Sequence, residues 1–537
     1  MPRRLPVAAL TLATALITLL ALIGTPVARA ATSQESMFQD DPLLVYGDEV
    51  TQKRTLDRLV HLGVDRIRVS VFWRIVAPAN DAAKKPDGFN AADPAAYPSG
   101  AWDRYDRLIV AAKNRGIRVN LNITSPVPDW AAGNPERADL KPTYAPDAGE
   151  FARFVAAVGT RYSGRYGGLP RVDYWSIWNE PNQPGWLTPQ WLPDKDAPGG
   201  FADAAPRIYR DLANAMWFGL SISGHAGDTI LVGETAPKGQ ARARGVSRAM
   251  KPRRFLLRLY CLDDNAQVLK GAEAKRNQCP GKVDGFREAN PGLFQVTGLA
   301  HHPYELTRAP DVEPEDPEFF TTGNLRALGS LMGRVFLRYG AAIPGDGKGG
   351  FPLYLTEYGY QTDPPDPTGV SRARQAAYLN QAEWITARNR AVKTLSQFLL
   401  FDDKPVEGAT KLQQYGATFQ SGLSTDAGRR KPAYAAYRFP IHVRRTTINR
   451  GSLATVWGLL RAGRPKTRET VRIEGRPSGA KRYRTLRTVR ADALRGYLQA
   501  RVRLRRTTRV RLSWRDPRTK SVQRSRSVTI KVRQRRR

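Results

Sequence analysis

Two glutamates stand where a pair of carboxyls could act on one bond. Glu180 closes the run Asp173-Tyr174-Trp175-Ser176-Ile177-Trp178-Asn179-Glu180-Pro181-Asn182, and Glu357 closes Pro352-Leu353-Tyr354-Leu355-Thr356-Glu357-Tyr358-Gly359-Tyr360. Each run is apolar and β-rich, then ends abruptly in an acid. The Trp and Tyr residues near Glu180 supply apolar surroundings that raise a carboxyl pKa towards the working range of a general acid. Hydrolysis of a glycosidic bond needs two such groups: one protonates the leaving oxygen, and the other attacks the anomeric carbon or activates water. Separations of about 5–5.5 Å go with retention and about 6.5–9.5 Å with inversion. An isolated Asn-Glu-Pro reads equally well as a helix cap, so it is the pairing with a second strand-end Glu that carries the signal.

Glu234, in Leu231-Val232-Gly233-Glu234-Thr235, is the competing acid. One strand on from Glu180, it is expected beside that residue, as a contact to substrate or as half of a structural ion pair. The adjacent His301 and His302 invite a metal reading, but neighbouring strand residues point to opposite faces. No third ligand stands at a useful spacing, so neither a metal nor another cofactor is expected.

The elements that must position these acids repeat along the chain. Between Asp40 and Pro440, short β-branched or aromatic runs alternate with amphipathic stretches, the pattern of parallel strands joined by helices. Eight strands are predicted: Leu43–Tyr46, Arg66–Phe72, Arg118–Ile123, Val172–Trp178, Ile230–Gly233, Gln295–His301, Pro352–Thr356 and Thr394–Phe401. Helices are predicted between them, among them Thr51–Leu62, Trp102–Arg115, Gly149–Tyr166, Ile208–Ser221, Asn324–Tyr339 and Ser371–Arg390. Several stop at a glycine, as at Gly63 and Gly116. Eight strand–helix units close naturally into a (β/α)8 TIM barrel, whose chemistry lies at the C-terminal ends of the strands. Glu180 and Glu357 then belong to strands four and seven, on opposite sides of the mouth.

After Pro440 the pattern becomes short alternating segments between Gly, Pro and Asp turns: Ala454–Leu460, Thr470–Glu474, Tyr497–Leu504, Thr508–Trp514 and Val528–Val532. This predicts a small C-terminal β-sandwich. Three units follow: residues 1–30 as a signal peptide, 31–440 as the barrel and 441–537 as a basic accessory domain. The last holds 31 Lys and Arg against four acids (Glu469, Glu474, Asp492, Asp516), or +27 of the total +36. A partner of anionic cell-wall polymer or acidic polysaccharide is therefore expected through residues 441–537, by a salt-sensitive attraction; a solvated basic face is the alternative.

Export is read from Arg3 and Arg4, the apolar run Leu5–Ile23 and the small-x-small Ala28-Arg29-Ala30, with cleavage after Ala30 and an uncleaved anchor as the competing reading. A secreted location, with possible association with the cell wall, follows. Nucleic acid is disfavoured as a partner by the expected export and the lack of a visible recognition motif. In an oxidising compartment Cys261 and Cys279, the only cysteines, are expected to pair as one disulfide.

Strand-four Asn-Glu-Pro with strand-seven Glu resembles clan A of the glycoside hydrolases, particularly family 39 and the related family 5, over roughly residues 37 to 440. The resemblance implies a retaining O-glycosidase acting on a carbohydrate substrate, with Glu180 as acid/base and Glu357 as nucleophile. It implies Asn179 as donor to the sugar 2-hydroxyl and Arg68, in Arg66-Ile67-Arg68-Val69-Ser70, as support of the nucleophile. In His301-His302-Pro303-Tyr304 it makes His302 a subsite ligand and Tyr304 a hydrogen-bond partner of Glu357. Ser421-Gly422-Leu423 followed by Arg430-Lys431-Pro432-Ala433-Tyr434 resembles the final helix of these barrels. Two departures stand out. Strand eight offers Phe398, Phe401 and Asp402-Asp403 where the clan usually has Trp, and strand three ends in Asn120-Leu121-Asn122-Ile123-Thr124 without the His that family 5 often has. The second departure favours the family 39-like label.

Among the loop tryptophans, Trp73 and Trp191 are as readily packing residues, while Trp130 and Trp186 follow strand ends in Pro-rich loops and are expected as sugar-stacking platforms. The insertion between strands five and six, with its two cysteines, is expected to wall the cleft. A non-catalytic carbohydrate- or wall-binding barrel tethered by its basic tail is the alternative to an enzyme, and the presence of both carboxyls with Asn179, Arg68 and Tyr304 argues against it.

Overall fold

The computed structural model describes residues 34–240, 245–345, 349–410, 413–463 and 467–533. The expected signal segment and the terminal Arg535-Arg536-Arg537 lie outside the described residues.

Eight parallel strands close a barrel: β1 (Glu35–Gln39), β2 (Arg66–Phe72), β3 (Arg118–Thr124), β4 (Tyr174–Ile177), β5 (Thr229–Thr235), β6 (Gly298–His301), β7 (Leu353–Leu355) and β8 (Val392–Phe398). Each is followed by a helix: α1 (Glu49–Leu62), α2 (Asp103–Asn114), α3 (Ala148–Arg161), α4 (Ala205–Ile222), α5 (Pro252–Leu259), α6 (Leu325–Arg338), α7 (Arg372–Thr386) and α8 (Pro432–Arg438). The local causes are plain in α1. Asp48 accepts from the Thr51 amide at 2.7 Å, Leu56, Leu59 and Leu62 recur on the buried side, and Gly63 ends the helix at φ +79°.

The first strand differs from expectation: β1 is Glu35–Gln39, whereas Leu43–Tyr46 begins in a short helix, Asp41–Leu44, and continues as a turn. Asp40 caps that helix by accepting from the Leu43 amide at 3.2 Å, and Pro42 stands in its first turn. β1 escapes a hydrophobic pattern search because its polar residues are buried and satisfied inside the barrel. Glu35 accepts from Arg66 Nε at 3.1 Å, and Gln39 accepts from Arg68 Nη1 at 2.6 Å.

Alternation along β2 sorts the two sides of the wall. Ile67, Val69 and Val71 join the core between strands and helices, so Arg66 and Arg68 point into the barrel. Arg66 lies over the Tyr174 ring at 3.4 Å. Leu231, Ala300 and Tyr354, with Tyr174 packed against them, form a plug there, and Arg68 carries its charge towards the open end.

The C-terminal domain has nine strands: β9 (Ile441–Val443), β10 (Thr447–Asn449), β11 (Leu453–Leu459), β12 (Thr470–Pro477), β13 (Arg484–Arg490), β14 (Tyr497–Arg503), β15 (Thr508–Arg515), β16 (Val522–Arg524) and β17 (Val528–Arg533). They make a three-stranded sheet, β9-β11-β14, and a six-stranded one, β10-β17-β15-β12-β13 with β16 on β15. Val456 and Leu498 of the first share one core with Ile473, Leu512, Trp514 and Ile530 of the second, as a sandwich requires.

The sandwich is seated against α7, α8 and the end of α1. Ala387 packs with Trp457, Leu459 and Tyr497. Arg461 donates to Glu383 at 2.6 Å and lies over the Tyr437 ring, while Arg526 donates to Asn380 at 2.8 Å. Several of the domain's arginines therefore serve the seam between domains and not a polyanion.

Candidate active site

Strand ends deliver the acids, and the backbone there is unusual. Trp178 and Glu180, at the end of β4, have φ of +63° and +37°, and Glu234, at the end of β5, has +47°. Left-handed backbone at non-glycine residues persists only where the surroundings over-determine it. Asn122 on β3 donates its side-chain amide to the Trp178 carbonyl, and Trp178 Nε1 donates to the Trp186 carbonyl at 2.9 Å. The Glu180 amide donates to the Glu234 carbonyl at 2.9 Å. At Glu234 the ladder between β5 and β6 slips a register between Gly233 and Thr235, a bulge that re-aims the side chain. Gly233 is required there: φ is +108°, and a Cβ would stand 2.6 Å from Leu299 Cδ1 and 2.7 Å from the Ala300 carbonyl.

The side chains converge in one cluster. A carboxylate oxygen of Glu180, one of Glu357 and a ring nitrogen of His302 lie within 4.8 Å of one another. Arg68 Nη1 donates to Glu357 Oε1 at 2.8 Å, and the Tyr304 hydroxyl donates to Oε2 at 3.1 Å. Arg68 Nη2 donates to Asn179 Oδ1 at 2.6 Å and to Glu234 Oε2 at 3.0 Å. His302 faces Glu180 Oε1 through Nδ1 at 2.9 Å and Glu234 Oε2 through Nε2 at 2.7 Å. Thr356 adds its hydroxyl to Glu234 Oε2 at 2.7 Å.

Burial opposes the charge of His302, but Glu357, Glu180 and Glu234 outweigh it and push the imidazole up to about 10. Burial likewise disfavours the Glu234 carboxylate, yet Arg68 and His302 hold it down to about 2. For Glu357 burial prevails, and its carboxyl stays above the usual range although His302 and Arg68 pull the other way. Two cations, Arg68 and His302, thus face the carboxyl groups of Glu180, Glu234 and Glu357. The trio Glu180, His302 and Glu357 has the separation of a metal site, but an imidazolium has no lone pair to give a metal.

Above the pair opens a cavity of about 600 Å³. Tyr46, Phe72 and Trp186 form one wall, stacked at 6.3 and 6.2 Å between ring centres, and Phe398 with Phe419 forms another. Asn179, Glu180, Tyr304 and Glu357 line its floor.

Several expected roles change. His302 is fully buried, holds acids with both nitrogens and does not line the cavity, so it is no subsite ligand. Glu234 is fully buried as well, and of its two readings the ion pair is the one found. Trp130 lies outside the cavity. Its Nε1 donates to the Pro78 carbonyl at 3.1 Å, and its ring meets Trp73 and Phe89 edge-on. Trp186 does line it. The insertion after β5 contributes Ala236, Pro237 and Lys238 to the wall, and its Cys261 and Cys279 are joined as a disulfide. Asp41, Tyr46 and Phe72 also line the cavity; the misplaced first strand hid the loop after β1 that holds the first two, and Phe72 ends β2 as expected, on the inward side that Arg66 and Arg68 share.

Residues 24–210 match the model of the cellulase family, glycosyl hydrolase family 5. That stretch holds the first half of the barrel and Glu180, and it is similar to clan A of the glycoside hydrolases. Within the clan, the matching model is that of family 5, although the missing strand-three His had favoured family 39. Among solved structures the chain is similar to a family 39 glycoside hydrolase from Bacteroides cellulosilyticus WH2, at 14% identity over 88% of this chain and 82% of that one, with a TM-score of 0.46. A monomeric beta-xylosidase from Caulobacter crescentus CB15 gives 15%, 90%, 97% and 0.43 on the same measures. A hyperthermophilic beta-glucosidase from Pyrococcus furiosus gives 14%, 77%, 95% and 0.43. No curated protein matches the sequence.

Proposed function

We propose that the hydrolase is an exported, retaining O-glycosidase working by double displacement, with Glu357 as nucleophile and Glu180 as acid/base. The observation that carries this reading is the convergence of the two carboxylates, whose nearest oxygens fall within 4.8 Å. Oxygens that close accord with the about 5–5.5 Å carboxyl separation of retention and not with the about 6.5–9.5 Å of inversion.

In the first step a Glu357 oxygen bonds to the anomeric carbon while the bond to the leaving oxygen breaks, and Glu180 gives that oxygen its proton. In the second, Glu180 takes a proton from water, the resulting hydroxide bonds to the anomeric carbon, and Glu357 departs as carboxylate. Arg68 and Tyr304 hold Glu357 with its lone pairs towards the cavity. Asn179 gives its carbonyl to Arg68, which turns its NH2 group to a sugar hydroxyl, and Trp186 offers a face for stacking. His302 and Glu234 act as positioning residues. Export rests on Arg3, Arg4, Leu5–Ile23 and Ala28-Arg29-Ala30, and the disulfide accords with an oxidising destination. The basic domain is read as holding the enzyme on an anionic cell-wall polymer or acidic polysaccharide.

Product anomers followed by NMR on an aryl glycoside should show retention. Glu357→Gln should abolish turnover, and azide should rescue Glu357→Gly with a glycosyl azide of inverted configuration. Inverted sugar from the native enzyme, or full activity in Glu357→Gln, would overturn the assignment.

A further inference from the structure

A second cavity, of about 200 Å³, lies in the seam between α8 and the sandwich and shares no lining residue with the catalytic one. Its walls carry three guanidinium groups, those of Arg430, Arg438 and Arg524, around the rings of Tyr434 and Trp514, and no carboxylate lines it. Lys431 is also in the wall, but its Nζ donates to Asp402 at 2.6 Å. Arg438 is braced by the His61 carbonyl at 3.1 Å and by Gln523. The Arg430 guanidinium rests over the Tyr434 ring at 4.4 Å. Arg430 and Arg524 are exposed and make no ion pair among the described residues. Asp516, which follows the lining Trp514 by two residues, is engaged by the Arg518 amide and guanidinium at 2.9 and 3.3 Å.

Gathering like charges around one hollow costs Coulomb energy, and among the described residues no carboxylate offsets it through an ion pair with Arg430 or Arg524. The crowding is felt locally. His61 and Arg438 are both held below their usual range, burial being the larger cause and Arg430 and Arg518 adding to it.

We propose that this seam cavity binds one sugar unit bearing an anionic group, carboxylate or phosphate, within an acidic glycan. Guanidinium forks match the planar oxyanion in bidentate fashion, and Tyr434, which the Arg430 guanidinium covers, holds that fork at the cavity wall. The volume is below the roughly 300–1,000 Å³ of pockets for drug-sized ligands, which fits a single ring. Barrel and sandwich both contribute walls, so the bound unit is gripped by both. The inference is independent of the bond that the barrel cleaves, and it is narrower than diffuse attraction to the basic domain.

Calorimetric titration of the full chain with trigalacturonate and with glucose 6-phosphate tests it, using two charge-matched double variants. One is Arg430→Glu with Arg524→Glu. The other is Arg472→Glu with Arg509→Glu, exposed residues on the outer face of the six-stranded sheet. The seam pair should weaken binding about ten-fold or more and the sheet pair less than about three-fold, the difference that one bidentate contact makes. Aryl glycoside hydrolysis should stay unchanged in both. The ligand that loses more in the seam pair identifies carboxylate or phosphate as the source. Equal losses in both pairs, or none in the seam pair, would overturn the site and leave the hydrolase assignment untouched. If the seam pair lowers Tm, Arg430→Gln with Arg524→Gln replaces it, with the same two outcomes.

Discussion

At the scale of single residues, the catalytic cluster is organised around a buried His302 that stays charged. The Tyr304 hydroxyl stabilises the ionised form of Glu357, so its loss should raise the Glu357 pKa further. Tyr304→Phe is expected to lower kcat/KM about ten- to a hundred-fold, the range for a hydrogen bond to a charged group, and to move the acid limb of the pH profile upward. An unmoved limb would mean that Tyr304 only packs. Glu234 has the opposite sign. Its folded pKa of about 2 lies below the roughly 4.3 of a free Glu, so its stabilisation is present above about 4.3 and is lost as pH falls towards 2. Glu234→Gln should cost on the order of 3–5 kcal/mol at pH 7, as when a buried pair loses one partner. The gap in Tm between wild type and variant should shrink steadily as the solution is acidified from pH 5 to 2.5.

Much of this cluster was legible in the chain. Glu180, Glu357 and Tyr304 stand at or just past a strand's C-terminal end, where an abrupt acid or hydroxyl marks the inward position, and Arg68, within β2, is marked by its alternation with Ile67 and Val69. His302 was placed correctly but given the wrong neighbour, because its orientation depends on Glu234, and Glu234 is turned inward by a bulge with no pattern of its own. Trp130 failed for a related reason. Proximity to a strand end says that a side chain is near the mouth, not whether other aromatics have already enclosed it.

At the scale of elements, seven of the barrel's predicted strands overlap observed ones, since buried parallel strands are apolar runs bounded by helices. The first did not, because Glu35 and Gln39 are polar residues buried against Arg66 and Arg68. β13 also escaped: its sequence Arg-Thr-Leu-Arg-Thr-Val-Arg is exposed along nearly its whole length, so no buried face imposes a period. The bulge in β5 is the element on which the site turns. Gly233→Ala meets both a left-handed φ and a Cβ contact of 2.6 Å. It should destabilise the fold by on the order of 1–3 kcal/mol and, by swinging Glu234, reduce kcat while KM changes little. Wild-type kinetics in a folded Gly233→Ala protein would show that the bulge does not set the cluster.

At the scale of the whole molecule, the sandwich is fastened to the barrel by buried charge as well as by apolar contact. Arg461 and Glu383 are both nearly inaccessible, with side chains 5% and 6% exposed. Arg461→Ala leaves Glu383 with Gln34 as its remaining partner and should cost on the order of 3–5 kcal/mol. Calorimetry should show a lower Tm, with the sandwich melting ahead of the barrel instead of with it. A single unchanged transition would place the coupling elsewhere.

The same arginine closes the turn between α1 and β2. A methyl group at Gly63 would stand 2.5 Å from the Arg461 carbonyl oxygen, so that turn cannot lengthen or take a larger residue while the sandwich is in place. Homologues that retain the appended domain should therefore keep this corner short and glycine-bearing. Those that have shed it should be free to vary there, and a comparison of lineages would reveal the two states changing together.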